Sequence, residues 1–162
     1  TDITDEVIEV VKNSKHICEC FHIPMQSGND RVLRAMNRRY NVEQYREIVT
    51  KIRNNIKDVT ITSDFIAGFP SETYEEFLDT IKAIDELGLD YSNTAAYSVR
   101  PLTKASKMVD DFIEEDEKKK RLAILNDKVK EAHLKSNEKY IGRTLEILID
   151  GVNSIHNLSG RL

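Results

Sequence analysis

Apolar residues recur along this 162-residue chain with two alternating periods, 3.6 and 2. Val7, Ile8 and Val11 have helical spacing behind Thr4, with Asp5 and Glu6 suited to a first turn, and predict a helix over residues 4–13. Residues 16–23 read as a strand. A turn at Gln26-Ser27-Gly28-Asn29 then leads into a short helix, capped by Asn29 or Asp30, carrying Val32, Leu33 and Met36. Tyr45, Ile48, Val49 and Ile52 share one face of a second helix over residues 42–54. Val59, Ile61, Ser63 and Phe65 alternate along a strand over residues 59–67. Thr73 opens a helix that runs to Leu87 and stops at Gly88, and residues 90–97 form a third strand. Connections this long between strands suit right-handed parallel crossovers. The fold class is therefore α/β, with three parallel strands that make half of a barrel or a corner of a doubly wound sheet. Alone, such a piece leaves an open sheet edge.

Beyond residue 113 the pattern changes. Residues 114–140 read as a long charged helix with a thin stripe of Leu122, Leu125, Val129 and Leu134, and as a bridge leaving the barrel. Its Lys118 to Arg121 run follows Glu114 to Glu117, so pairing along the helix accounts for it. After Gly142, residues 144–149 alternate as a strand and residues 158–162 begin another.

Composition narrows the function little. Net charge is −4, which argues against a chain held on nucleic acid by bulk charge. No stretch approaches the roughly 20 apolar residues of a membrane span. The acidic start, Thr1 to Glu6, does not read as a signal peptide, and a chain without an initial Met reads as a piece. The two cysteines, Cys18 and Cys20, cannot build a disulfide framework, and their spacing strains a bond between them. A reducing compartment is expected, with the pair packed inside on its strand. His16, His22, His133 and His156 show no metal-ligand spacing.

Ligands of parallel α/β folds bind in loops after the C-terminal ends of strands. Three such loops stand out: Pro24-Met25-Gln26-Ser27-Gly28, Asp64 through Thr73, and Tyr97-Ser98-Val99-Arg100-Pro101. Gln26 and Ser27 both donate and accept hydrogen bonds, which suits a ribose or an amino-acid moiety. Asp64 can accept from an ammonium, and Gly68 allows close backbone approach to a flat ligand. The same residues also serve as turn residues and helix caps, and spacing alone leaves both readings open. Arg31, Arg34, Arg38 and Arg39, with Tyr40 beside them, read either as an RNA-facing patch or as a solvated helix face.

These loops carry a resemblance. His22-Ile23-Pro24-Met25-Gln26-Ser27-Gly28, Met36-Asn37-Arg38-Arg39-Tyr40, Asp64-Phe65-Ile66-Ala67-Gly68-Phe69-Pro70-Ser71-Glu72-Thr73 and Tyr97-Ser98-Val99-Arg100-Pro101, in this order, resemble the radical-SAM tRNA methylthiotransferase family. The Leu158-Ser159-Gly160-Arg161 ending resembles the start of that family's RNA-binding TRAM barrel. The resemblance implies the C-terminal half of a radical-SAM partial (β/α) barrel over residues 1–113, a linking helix over 114–140, and a truncated TRAM start over 141–162. It implies S-adenosyl-L-methionine and two [4Fe–4S] clusters in the intact protein, with the cluster cysteines upstream of this chain. Cys18 and Cys20 do not fall on those positions, and two thiolates do not complete a cluster.

By position, the resemblance places Gln26 and Ser27 on the ribose or methionine part of the cofactor. It places the strand from Asp64 through Ile66 to Gly68, and Tyr97, around the adenine. Arg100 at the same mouth would meet a carboxylate or a tRNA phosphate, or pair with a loop acid. Arg38, Arg39 and Arg161 are candidate tRNA contacts. The implied reaction is radical methylthiolation of an N6-modified adenosine beside the anticodon, in the cytoplasm or an organelle, with the fragment itself inactive. Asn37 and the Leu-Ser-Gly-Arg ending favour the isopentenyl-adenosine subgroup over the threonylcarbamoyl-adenosine one. A non-catalytic tRNA- or protein-binding module is the reading from a different class. The family carries Gly where Ser71 and Leu102 stand here.

Overall fold

The computed structural model describes residues 3–152 and, as backbone only, 158–161. Helix α1, Asp5–Asn13, starts where Thr4 Oγ1 accepts from the Val7 N–H, and buries Ile8 and Val11. Strand β1 is only Cys20–His22, shorter than the pattern suggests. A strand persists only where it has a partner, and its neighbour β2, Thr60–Ala67, begins opposite Cys20. Helix α2, Asp30–Ala35, is capped by Asn29 Oδ1, which accepts from the N–H groups of Arg31 and Val32. Helix α3, Val42–Asn55, begins with a reciprocal box between Asn41 and Gln44. Helix α4, Tyr74–Leu87, begins with the same device between Thr73 and Glu76. It ends at Gly88, whose φ of 55° is the left-handed conformation a side chain disfavours. Strand β3 is Tyr91–Ala96.

The three strands pair in parallel with β2 central. Along β2, Ile61, Ser63, Phe65 and Ala67 face the helices and are buried. One core unites Ile8, Phe21, Ile23, Tyr45, Ile52, Ile61, Phe65, Phe77 and Ile84. The opposite face of the sheet carries Cys20, His22, Asp64 and Asn93, and stays open among the described residues.

Three expectations change. Cys18 and Cys20 are exposed, because Phe21 and Ile23 take the core side of the β1 segment and Cys18 lies outside the strand. Helix α5, Glu115–Asn137, does not bridge away from the sheet; it packs against β3 and α4, with Leu125 and Val129 in the common core. Its buried stripe is Lys118, Arg121, Leu125 and Val129, while Leu134 is exposed. The pattern of apolar residues alone misplaces the stripe, because two of its members are cations. The distal strand lies later than expected: β4, Leu148–Val152, pairs antiparallel with β5, Leu158–Arg161. This antiparallel pair exposes Leu148, Ile149 and Val152, and Ile147 just before it is exposed as well.

Candidate functional site: the cavity at the strand ends

The segment leaving β1 is held from three sides. Tyr45, buried in α3, donates its hydroxyl to the Ile23 carbonyl at 2.7 Å, and burial pushes its phenol up to about 12. Ser63 Oγ accepts from the Met25 N–H and donates to the Ile23 carbonyl, both at 3.0 Å. Tyr40 donates its hydroxyl to the adjacent carbonyls of Pro24 and Met25. These pins deliver Gln26 with φ at 73°, a left-handed conformation that costs a non-glycine residue about 1–2 kcal/mol. Its backbone is locked onto β2: the Gln26 N–H donates to the Asp64 carbonyl, and the Ile66 N–H donates to the Gln26 carbonyl. The residue is 8% exposed overall, and its side-chain amide, which keeps some exposure, has no hydrogen-bond partner among the described residues. A strained backbone that turns an accessible, unpaired amide outward marks a place where a ligand can take up its hydrogen bonds.

Gln26 lines a cavity of about 760 Å³ at the C-terminal ends of the strands. Asp64, Ile66, Tyr97, Arg100 and Arg38 also line it. The Asp64 carboxylate is oriented by two groups: Asn93 Nδ2 donates to Oδ1 at 3.0 Å, and His22 Nε2 lies 3.1 Å from Oδ2. A carboxylate only accepts, so His22 Nε2 carries a proton; Nδ1 sits 2.9 Å from Thr62 Oγ1. His22 thus aims Asp64; among the described residues there is no group of three or more metal-ligating side chains. The Ile66 N–H is committed to Gln26, so Ile66 offers the cavity its side chain. Tyr97 packs edge-on against Phe69 at 5.3 Å, and its buried hydroxyl has no partner among the described residues.

Two residues singled out from the sequence stand behind the cavity instead of lining it. Ser27 is fully buried: its hydroxyl accepts from the Asn29 N–H at 3.2 Å and lies 3.4 Å from Thr80 Oγ1. Gly68 has φ at 76°, and an added Cβ would sit 2.4 Å from Lys118 Cγ. The close approach that requires glycine is therefore made by a side chain of α5.

The arginine cluster divides. Arg31 is tied to Glu76 by two bonds and donates to the Ser71 carbonyl at 2.7 Å, so it fastens α2 to α4. Its guanidinium holds the Glu76 carboxyl below the usual range. Arg34, Arg38 and Arg39 are exposed, Arg38 at the cavity and Arg39 outside its lining. Arg100 is exposed at the mouth. The Arg161 side chain lies outside the described residues. Asn93 and Lys104 also line the cavity and escaped sequence reasoning. The alternation of β3 could have found Asn93, which shares a face with Ala95; nothing local marks Lys104.

Ser71 and Leu102 have φ at 65° and 67°. Both stand where the resemblance expects Gly, and both occupy the conformation glycine adopts freely. Ser71 is anchored there, because its N–H donates to the Asp111 carbonyl and its hydroxyl accepts from Arg31. Leu102 is fully exposed. A second cavity, of about 440 Å³, lies at the opposite end of the sheet. There Asp90 pairs with Lys139 and Arg53, so its polar groups largely satisfy one another.

Comparison with known proteins agrees with this geometry. Residues 1–84 match the model of the radical SAM superfamily. The tRNA-2-methylthio-N(6)-dimethylallyladenosine synthase of Fusobacterium nucleatum is 42% identical over 162 residues, covering 99% of this chain and 37% of that protein. The proteins of the same name from Cronobacter sakazakii and Caldicellulosiruptor saccharolyticus are each 41% identical, covering 99% and 97% of this chain and 34% and 33% of their own lengths. The chain thus spans about a third of the curated relatives it matches. Among solved structures, coproporphyrinogen III oxidase (HemN) from Escherichia coli, described as a radical SAM enzyme, superposes with a TM-score of 0.67 at 21% identity. That match covers 81% of this chain and 30% of the oxidase, and it speaks to the fold alone. A superfamily model that matches more than half of the chain, on the parallel sheet whose strand ends form the cavity, makes this chain a member of the radical SAM superfamily.

Proposed function

We propose that this chain is the C-terminal part of a tRNA methylthiotransferase that places a methylthio group on C2 of N6-isopentenyl-adenosine beside the anticodon. The observation that carries the reading is the cavity at the strand ends, lined by the strained Gln26 with its unpaired amide and by Tyr97, whose buried hydroxyl has no partner among the described residues, in a chain some 40% identical along almost its whole length to synthases of that name. S-adenosyl-L-methionine fits the cavity's donor set, and when bound it supplies the radical chemistry. Gln26 would meet its ribose or methionine part. Asp64, aimed by His22 and Asn93, would accept from an ammonium or a hydroxyl. Ile66 and Tyr97 would enclose the adenine, while Ser27 and Gly68 shape the cavity from behind. Arg100 would take a carboxylate or a phosphate.

A [4Fe–4S] cluster does not fit this chain's own residues: the two exposed cysteines lie away from the cavity's lining, and no ligand set exists among the described residues. In this reading the cluster ligands lie on the rest of the protein, and residues 1–162 alone are inactive. Arg38 and Arg39, which form no ion pair among the described residues, are proposed contacts for tRNA phosphates, as is Arg161. Residues 1–113 are read as the barrel half, 114–140 as a helix docked on it, and 141–162 as the beginning of a TRAM-type module. No helix of the described residues is long and apolar enough to cross a membrane. The cytoplasm is the proposed compartment.

The test is mass spectrometry of nucleosides from tRNA treated with the reconstituted full-length protein, S-adenosyl-L-methionine and a reductant. The 2-methylthio form of isopentenyl-adenosine is the expected product. Modification of threonylcarbamoyl-adenosine instead would move the protein to the neighbouring subgroup. No methylthio product from either nucleoside would leave a binding role.

A further inference from the structure

The buried stripe of α5 runs Lys118, Arg121, Leu125, Val129, and its upper two members are cations only 6% exposed. Burying a charge costs several kcal/mol unless partners repay it. Leucine or methionine would pack at both positions without that cost. Glu115 and Glu117 on α5 itself pair with Lys118 and Arg121, and the remaining partners are backbone carbonyls and the Glu72 carboxylate in the two loops that wall the ligand cavity. Arg121 Nη1 donates to the Glu72 carbonyl at 2.9 Å, to Glu72 Oε2 at 3.2 Å and toward the Thr73 carbonyl at 3.3 Å. Its Nε donates to Glu117 at 2.8 Å, and its plane lies over Tyr74 and Phe77. Glu72 Oε2 in turn accepts from the Gly68 N–H at 2.8 Å. Lys118 lays its methylenes on the Gly68 Cα, and its ammonium pairs with Glu115 and reaches the Tyr97 carbonyl, 3.4 Å away.

We infer that Arg121 and Lys118 are positioning residues for the cavity: from α5 they set the backbone of the Gly68–Phe69 turn and of Tyr97, and so the two aromatic rings that pack edge-on at its wall. Neither residue lines the cavity, so each acts through Glu72, Gly68 and Tyr97. The inference rests on the reading that this cavity holds S-adenosyl-L-methionine. The far end of the same helix and the turn just beyond it provide an internal control. Ser136 and Lys139 hold Asp90 at the opposite end of the sheet, well away from the cavity lining. Cutting that tie loosens the helix without touching the wall.

The experiment compares Arg121→Met with Lys139→Met in the full-length holoprotein. Two readouts are taken: the Kd for S-adenosyl-L-methionine by equilibrium dialysis, and amide hydrogen exchange across residues 68–73 and 97. Both variants should lower the thermal midpoint. Only Arg121→Met should raise Kd, by about tenfold, the equivalent of about 1.4 kcal/mol lost from wall preorganisation. Only Arg121→Met should speed exchange in the two loops. Lys118→Met keeps the packing on Gly68 and loses the contacts to Tyr97 and to Glu115, the latter on α5 itself; it serves where Arg121→Met fails to fold, with a smaller rise in Kd expected. An unchanged Kd and unchanged exchange in Arg121→Met or, where that variant does not fold, in Lys118→Met, would overturn the inference, as would an equal loss in Lys139→Met. Failure of the functional reading is seen elsewhere, in a wild-type holoprotein that does not bind S-adenosyl-L-methionine; the exchange contrast between variants still decides whether α5 sets the wall.

Discussion

Asp90 fastens three elements at once, and replacing it should be among the costliest single changes in the chain. Its Oδ2 accepts from the Ile61 N–H at 2.8 Å, and Ile61 is fully buried in the central strand. Its Oδ1 accepts from Ser136 Oγ at 2.6 Å and from Lys139 Nζ at 2.7 Å, both on or just beyond α5. Asp90→Ala strands the Ile61 donor, which costs about 1–3 kcal/mol. The Lys139 side chain is one-third exposed and rehydrates, so that pair adds at most about 1 kcal/mol. With the serine bond the expected loss is about 3 kcal/mol. Asp90→Asn keeps an acceptor for Ile61 and loses the charge, so about 1 kcal/mol is expected. Urea denaturation reads both as shifts of midpoint at constant slope. The pH dependence adds a second check. Burial raises the Asp90 carboxyl, but Lys139, Ser136 and the Ile61 N–H outweigh it and leave the group below its ordinary 3.8. A depressed acid stabilises the fold above its unfolded pKa, and that contribution fades as pH falls below 3.8 through the folded value. The difference between wild type and Asp90→Asn should therefore shrink in acid. A loss below about 1 kcal/mol for Asp90→Ala, an asparagine as costly as alanine, or a difference that persists in strong acid would refute the argument.

Leu102→Gly should stabilise the chain by about 1 kcal/mol, because it relieves a left-handed leucine that touches little, whereas Ser71→Gly should be nearly neutral, because it gives up the Arg31 contact in exchange. Thermal melts compare the two, and a destabilising Leu102→Gly would contradict the backbone reading. Both cysteines of this chain should react with a thiol reagent without denaturant, Cys20 more slowly, since partial burial pushes its thiol above the ordinary 9.0. Protection of either thiol until unfolding would contradict the exposed β1 edge.

Elements whose signals are local were legible from residue order. The strict alternation from Val59 to Phe65, the Thr73 cap and the Gly88 stop each depend on a few neighbouring residues, and the structure puts β2 and α4 within a residue of the expected limits. The three loops after the strands were legible too, because parallel topology places loop residues such as Gln26, Asp64 and Tyr97 at one end of a sheet. Which way a loop residue turns was not. Ser27 and Gly68 lie in the same motifs as the cavity residues, but only packing against Thr80 and Lys118 decides that they stand behind the wall. The phase of α5 was hidden for a related reason. A charged residue reads as solvent-facing along the chain, and Lys118 and Arg121 become buried only because the fold gathers the carbonyls of Glu72, Thr73 and Tyr97 where the helix passes. Periodicity along one segment determines which residues share a face; what that face meets depends on distant segments, so partners, burial of charge and the shape of the cavity belonged to the tertiary structure alone.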